Sequence, residues 1–105
     1  MMVNENVYAS KLRTRICEQV PNIVKIFKND EQQCQGIPDH TILFNDGRYA
    51  MLEVKKSIDA KHQPNQDYYV EMFNRIGYAA FVYPENEKEI IRQLIDYSTR
   101  PNLEW

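Results

Sequence analysis

Residues 36–55 read GIPDHTILFNDGRYAMLEVK. Two β-prone runs, Thr41-Ile42-Leu43-Phe44 and Tyr49 to Lys55, flank the turn Asn45-Asp46-Gly47, and an Asp-Gly step between such runs is a strong hairpin signal. A turn centred on Asp46 sets Leu43 opposite Tyr49, Thr41 opposite Met51 and Asp39 opposite Glu53. Strand side chains alternate between faces, so Lys55 shares the face of Glu53 while Leu52 and Val54 point to the other, expected core, side. Asp39 and Glu53 become direct cross-strand neighbours, roughly 4.5 to 5.5 Å apart at Cβ. Like charges placed there destabilise a sheet, so the pattern calls for a compensating cation or a functional reason. Gly36 lets the backbone turn sharply ahead of Pro38-Asp39. His40 falls on the core side beside Asp39, where a hydrogen-bonded strand histidine is expected.

Working outward, residues 4 to about 19 read as a helix, because Glu5, Tyr8, Ala9, Leu12, Ile16 and Val20 recur at three- and four-residue intervals. Asn4 is its candidate cap and Pro21 its stop. Ile23 to Phe27 reads as a short strand, and Asn29 to Gln35 as a polar loop. Beyond the hairpin, Asn65 to Ile76 is helical, with Tyr69, Met72, Phe73 and Ile76 on one stripe and Gly77 as a stop. Tyr78 to Tyr83 reads as a buried strand. Pro84 separates it from a last helix, about Asn86 to Tyr97, with Ile90, Ile91, Leu94 and Ile95 on its apolar face. The tail from Ser98 to Trp105 is expected to be loose, leaving Leu103 and Trp105 available for docking. The expected order is αβββαβα: one α/β domain over residues 1–105, a mixed sheet flanked by helices.

At 105 residues the chain suits one domain with its own core. Apolar residues make up 43% and charged residues 27%, ordinary values for a globular domain, and the longest apolar run, Tyr78 to Tyr83, is far short of a membrane span. The start, Met1-Met2-Val3-Asn4-Glu5-Asn6, lacks the basic opening and apolar stretch of a secretory signal. A reducing cytoplasm is therefore expected, with Cys17 and Cys34 as free thiols. Cys17, Cys34, His40 and His62 lack the paired spacings of a zinc site. A formal net charge of −2 speaks against a dedicated basic nucleic-acid binder. It weighs less against a metal nuclease, whose acidic ligands are offset by bound cations. The local basic groups, Lys11 with Arg13 and Arg15, Lys25 with Lys28, and Lys55 with Lys56 and Lys61, each read individually as a solvated face.

Asp39 and Glu53 offer the hard oxygen ligands that Mg²⁺ or Mn²⁺ takes, and such an ion activates water and neutralises charge on a phosphodiester under attack. Lys55, on the same face, is suited to orient that water or to stabilise the developing charge. Two polar residues lie in line with apolar helical stripes. Glu5 precedes Ala9 and Leu12 at four and seven residues, and so is expected on the core-facing side of the first helix. Gln66 precedes Tyr69, Val70 and Phe73 at three, four and seven residues, at the start of the second. Glu5 also reads as an end residue favoured by the helix dipole, and Gln66 as a capping or sheet-bonding amide.

Gly36-Ile37-Pro38-Asp39, then Leu52-Glu53-Val54-Lys55 after a hairpin, then a helix carrying Gln66 and a glycine-ended segment before a buried strand, resembles the PD-(D/E)xK nuclease superfamily. Within it the chain looks most like the compact VRR-Nuc type of bacteriophages, related to Holliday-junction resolvases. The resemblance covers roughly residues 5 to 83. It implies a restriction-endonuclease-like core and a metal-dependent DNA endonuclease acting in the cytoplasm of a bacterial host. Asp39 and Glu53 would be metal ligands, the Val54 carbonyl a backbone ligand and Lys55 the catalytic lysine. Gln66 matches the helical glutamine, and Glu5 the acidic residue of the first helix. Glu18 competes for that last role but falls opposite Leu12, facing solvent. Lys56 is a candidate phosphate contact. The implied cofactor is Mg²⁺, with Mn²⁺ as substitute. The implied partners are DNA, including branched DNA such as Holliday junctions, and a second copy of the chain in a homodimer. The alternative is a catalytically silent nuclease-fold protein that binds nucleic acid or a protein partner. A sequence-specific restriction nuclease is disfavoured, since little chain is left over for a recognition domain.

Overall fold

The computed structural model describes residues 4–101. Helix α1 (Glu5–Gln19) begins at Asn4, whose side chain accepts from the backbone N–H groups of Asn6 and Val7 at 2.9 and 3.2 Å, as an N-cap should. Tyr8, Ala9, Leu12 and Ile16 form its buried stripe. The chain then turns through Asn22, at φ +70°, into strand β1 (Ile23–Lys28).

Strands β2 (His40–Phe44) and β3 (Tyr49–Val54) form the expected hairpin, with Leu43 opposite Tyr49 and Thr41 opposite Met51. Gly47 closes the turn at φ +91°, its N–H donating to the Phe44 carbonyl at 3.1 Å. The ladder stops at His40 opposite Leu52, one residue short of Asp39. There the Asp39 carbonyl accepts the Asn29 N–H at 2.8 Å, which keeps the loop after β1 against the strand.

Helix α2 (Gln66–Ile76) carries the chain to β4 (Tyr78–Val82), which lies parallel to β3, and α3 (Glu87–Thr99) follows. The sheet order is β1-β2-β3-β4. It is a mixed sheet in an αβββαβα chain, the fold class read from the sequence. On one face Ile42, Phe44, Leu52 and Val54 pack with Leu12 and Ile16 of α1 and with Ile90, Ile91 and Leu94 of α3. On the other, Met51, Val70 and Ala79 form a smaller cluster beneath α2, joined by Ile37 and Phe73. Arg15 of α1 grips Glu87 of α3 through Nε at 2.5 Å and Nη2 at 2.7 Å, and the Tyr8 hydroxyl donates to the same carboxylate at 2.9 Å. Arg15 is therefore a structural tie between helices rather than part of a solvated basic face.

Several details depart from the sequence reading. Ile76, the last residue of α2, is 70% exposed although it falls on the expected apolar stripe. The strand β4 is only partly buried, with Tyr78, Ala80 and Phe81 at intermediate exposure. Gly77 does not stop α2 through a left-handed turn, its φ being −157°. It is required by proximity, since a Cβ there would meet the Tyr49 ring at 2.9 Å. Helix α3 continues through Ser98 and Thr99, and Ser98 is buried, so the first residues assigned to a loose tail belong to the body. Leu103 and Trp105 lie outside the described residues. No helix among the described residues is long and apolar enough to cross a membrane.

Candidate metal centre

Where β2 begins and β3 ends, the hairpin register brings Asp39 and Glu53 together, and the loop after β1 adds a third carboxylate. Oxygens of Glu31, Asp39 and Glu53 lie within 4.8 Å of one another. Asp39 stands just beyond the paired strands. Its Oδ1 accepts the Val54 N–H at 3.1 Å and the His40 ring at 2.7 Å, so its side chain takes the place of a backbone partner at the end of the ladder.

Glu53 is 3% exposed, and its Oε1 has no hydrogen-bond partner among the described residues. A buried carboxylate oxygen left without a donor is expensive unless something charged satisfies it. Burial first, then the Asp39 carboxylate beside it, pushes the Glu53 carboxyl up to about 8, while Lys55 pulls the other way. Lys55 is also buried; its Nζ lies 3.8 Å from Glu53 Oε2 and donates to the Lys61 carbonyl at 3.2 Å. Lys55 lies on the Glu53 Oε2 side and leaves Oε1 without a donor among the described residues. The set of hard oxygens, with the orphaned Oε1 among them, fits a divalent cation of the Mg²⁺ type.

Gln66 is 3% exposed at the first position of α2 and lines the same cleft. Its Oε1 accepts the N–H of Gln63 in the preceding loop at 2.8 Å, so the amide ties that loop to the helix rather than capping it, and the NH₂ is the end able to meet a ligand. Gly36 sets this distance between loop and helix. It takes φ +90°, and a Cβ there would come within 2.6 Å of the Asn65 Cβ and 2.7 Å of the Pro64 carbonyl. Lys56 is exposed at the rim of the cleft.

Glu5 also lines the cleft, but it is exposed and its carboxylate is not one of the clustered group. The core-facing position expected for it is corrected: it is the first residue of α1 and exposed, which fits its reading as an end residue favoured by the helix dipole, so a place on the apolar stripe does not enclose it. Glu18 is exposed, as expected. Glu31 is the residue that sequence reading missed. It sits in an irregular polar turn with no periodicity to flag it, and its only sequence signal is an acidic residue in the loop leading to Gly36 and Pro38-Asp39. His40 is 2% exposed and fully hydrogen-bonded, the expected strand histidine. Cys17 and Cys34 are free thiols. Comparison of the chain with protein-family models, with curated proteins and with solved structures finds no match.

Proposed function

We propose that this chain is a divalent-metal-dependent endonuclease of the PD-(D/E)xK kind, VRR-Nuc-like, hydrolysing DNA phosphodiester bonds. The observation that carries the reading is the convergence of Asp39, Glu53 and Glu31 oxygens within 4.8 Å beside a buried Glu53 oxygen that has no partner among the described residues, with Lys55 Nζ 3.8 Å from Glu53 Oε2. Asp39 and Glu53 would hold Mg²⁺ or Mn²⁺, with the Val54 carbonyl as a backbone ligand and Glu31 as an additional carboxylate. When bound, the ion supplies water activation and offsets charge on the phosphate. Lys55, anchored by the Lys61 carbonyl, points one ammonium N–H at a backbone oxygen and keeps the others to orient a water or to stabilise the developing charge. Gln66 offers its NH₂ to a phosphate oxygen or that water, and Lys56 reaches the flanking backbone. Glu5, at the mouth of the cleft, is suited to a weaker role through solvent. Branched DNA such as a four-way junction fits this proposal if two copies assemble, since cutting both strands needs two sites. The second reading is a nuclease-fold protein that binds nucleic acid or a protein partner without cutting, and the net charge of −2 favours the protein partner within it.

Incubation with supercoiled plasmid, linear duplex, single strand, flap and four-way junction, in Mg²⁺, Mn²⁺ or EDTA, separates the two. Cutting that needs metal and disappears in Glu53→Ala supports the nuclease. Binding without cutting on every substrate and metal supports the second reading.

A further inference from the structure

The candidate ligand Asp39 is tied to a chain of two further side chains that neither the PD-(D/E)xK resemblance nor the cleft lining assigns a role. His40 Nδ1 lies 2.7 Å from Asp39 Oδ1, and Arg13 Nη1, on α1, lies 2.9 Å from His40 Nε2. A guanidinium has only donors, so Nε2 must accept, and the ring proton is left on Nδ1, where it donates to Asp39. Two contacts fix the ring in one tautomer, in a 2% exposed position. Asp39 Oδ1 therefore receives two donors, the His40 ring N–H and the Val54 backbone N–H at 3.1 Å. Both of its lone pairs are engaged, and Oδ2 is the oxygen left for a cation.

From this geometry we infer that His40 and Arg13 are positioning residues of the metal centre: Arg13 fixes the His40 tautomer, and His40 fixes which Asp39 oxygen faces the ion. The inference rests on the metal-centre reading above. It links α1 to the site in a way the acidic residue of the first helix does not, through a basic side chain acting two bonds away. Outer partners of this kind set the orientation and basicity of a ligand, and losing one weakens metal binding by about 10- to 100-fold.

Titration of Mn²⁺ by electron paramagnetic resonance on the full chain, together with the ¹⁵N signals of the His40 ring, provides the test. The wild type should bind Mn²⁺ and show His40 protonated at Nδ1 alone. His40→Leu, which fills the space without a donor, should bind Mn²⁺ about 10- to 100-fold more weakly. His40→Asn, whose amide nitrogen sits near the Nδ1 position, should recover most of the loss. Arg13→Met, at a less enclosed position, supplies the same comparison should His40→Leu not fold: it should weaken binding and change the ring's protonation. A proton on Nε2 in the wild type, equal Mn²⁺ affinity in wild type and His40→Leu, or no recovery in His40→Asn overturns the inference. A wild type that binds no Mn²⁺ yet keeps the Nδ1 proton overturns the metal-centre reading itself, and this role with it.

Discussion

The Glu53 carboxyl is the residue on which most of the chemistry turns. Pushed up to about 8 by burial and by Asp39, it holds a proton in the metal-free protein near neutral pH. A carboxyl whose folded-state pKa is raised contributes stability that is complete below the ordinary carboxylate range and is lost as pH rises through about 8. Urea denaturation of the metal-free protein should therefore show a fall in stability between about pH 5 and pH 8 that Glu53→Gln flattens; equal slopes in both proteins would remove the buried-acid reading. Tyr49 offers a contrast in which a polar atom has no ligand to wait for. Its hydroxyl is buried without a partner among the described residues, and a buried unsatisfied group costs about 1 to 3 kcal/mol. Tyr49→Phe should leave the thermal midpoint unchanged or raise it. Asp39, Glu53 and Lys55 were legible because a period-two strand and a dated turn signal fix which side chains share a face. Glu31 was not, since an irregular loop carries no register. The exposure of Glu5 was not legible, because helical periodicity gives a direction around the axis and says nothing of how far a residue at the helix end is covered.

At the scale of elements, the site depends on the hairpin, on the loop before it and on the start of α2, and Gly36 is where the last two meet. Its φ of +90° and the 2.6 Å approach of a Cβ to Asn65 leave no room for a side chain. Gly36→Ala should lower stability by about 1 to 3 kcal/mol through strain and displacement of the loop, and should weaken metal binding by moving Glu31 away from Gln66 and Asp39. Denaturation and Mn²⁺ titration of the one variant check both halves. The tie between α1 and α3 is a separate device, remote from the clustered carboxylates. Arg15 holds the Glu87 carboxyl below the usual carboxylate range, so this contribution is present at neutral pH and is lost on acidification, the opposite sign to Glu53. Glu87→Gln should cost about 1 kcal/mol at pH 7, the partial exposure of Arg15 holding the figure down, and should leave metal binding untouched. The existence, type and order of every element were legible from apolar spacing and turn residues. Their ends were less so: α3 outran its apolar pattern because Ser98 finds burial and a backbone acceptor, Ile95 O at 3.1 Å.

For the whole molecule, two helices pack on one face of the sheet and one on the other, and the acidic cluster opens at the end where the parallel and antiparallel parts of the sheet adjoin. Leu94 lies in the main core and does not line the cleft, so Leu94→Ala should destabilise the protein by about 2 to 5 kcal/mol while the remaining folded molecules bind metal normally. An overall charge of −2 is compatible with a polyanionic substrate if the cation supplies the positive field locally. Everything proposed for the cleft therefore depends on whether Asp39 and Glu53 bind a divalent ion. The direct measurement is calorimetric titration of Mn²⁺ into metal-free protein at pH 7, in two buffers of different ionisation enthalpy, for the wild type, Asp39→Asn and Glu53→Gln. We expect the wild type to bind and to release a proton from Glu53 as it does so, with both variants silent. No binding by the wild type, or equal binding by all three proteins, would contradict the metal centre.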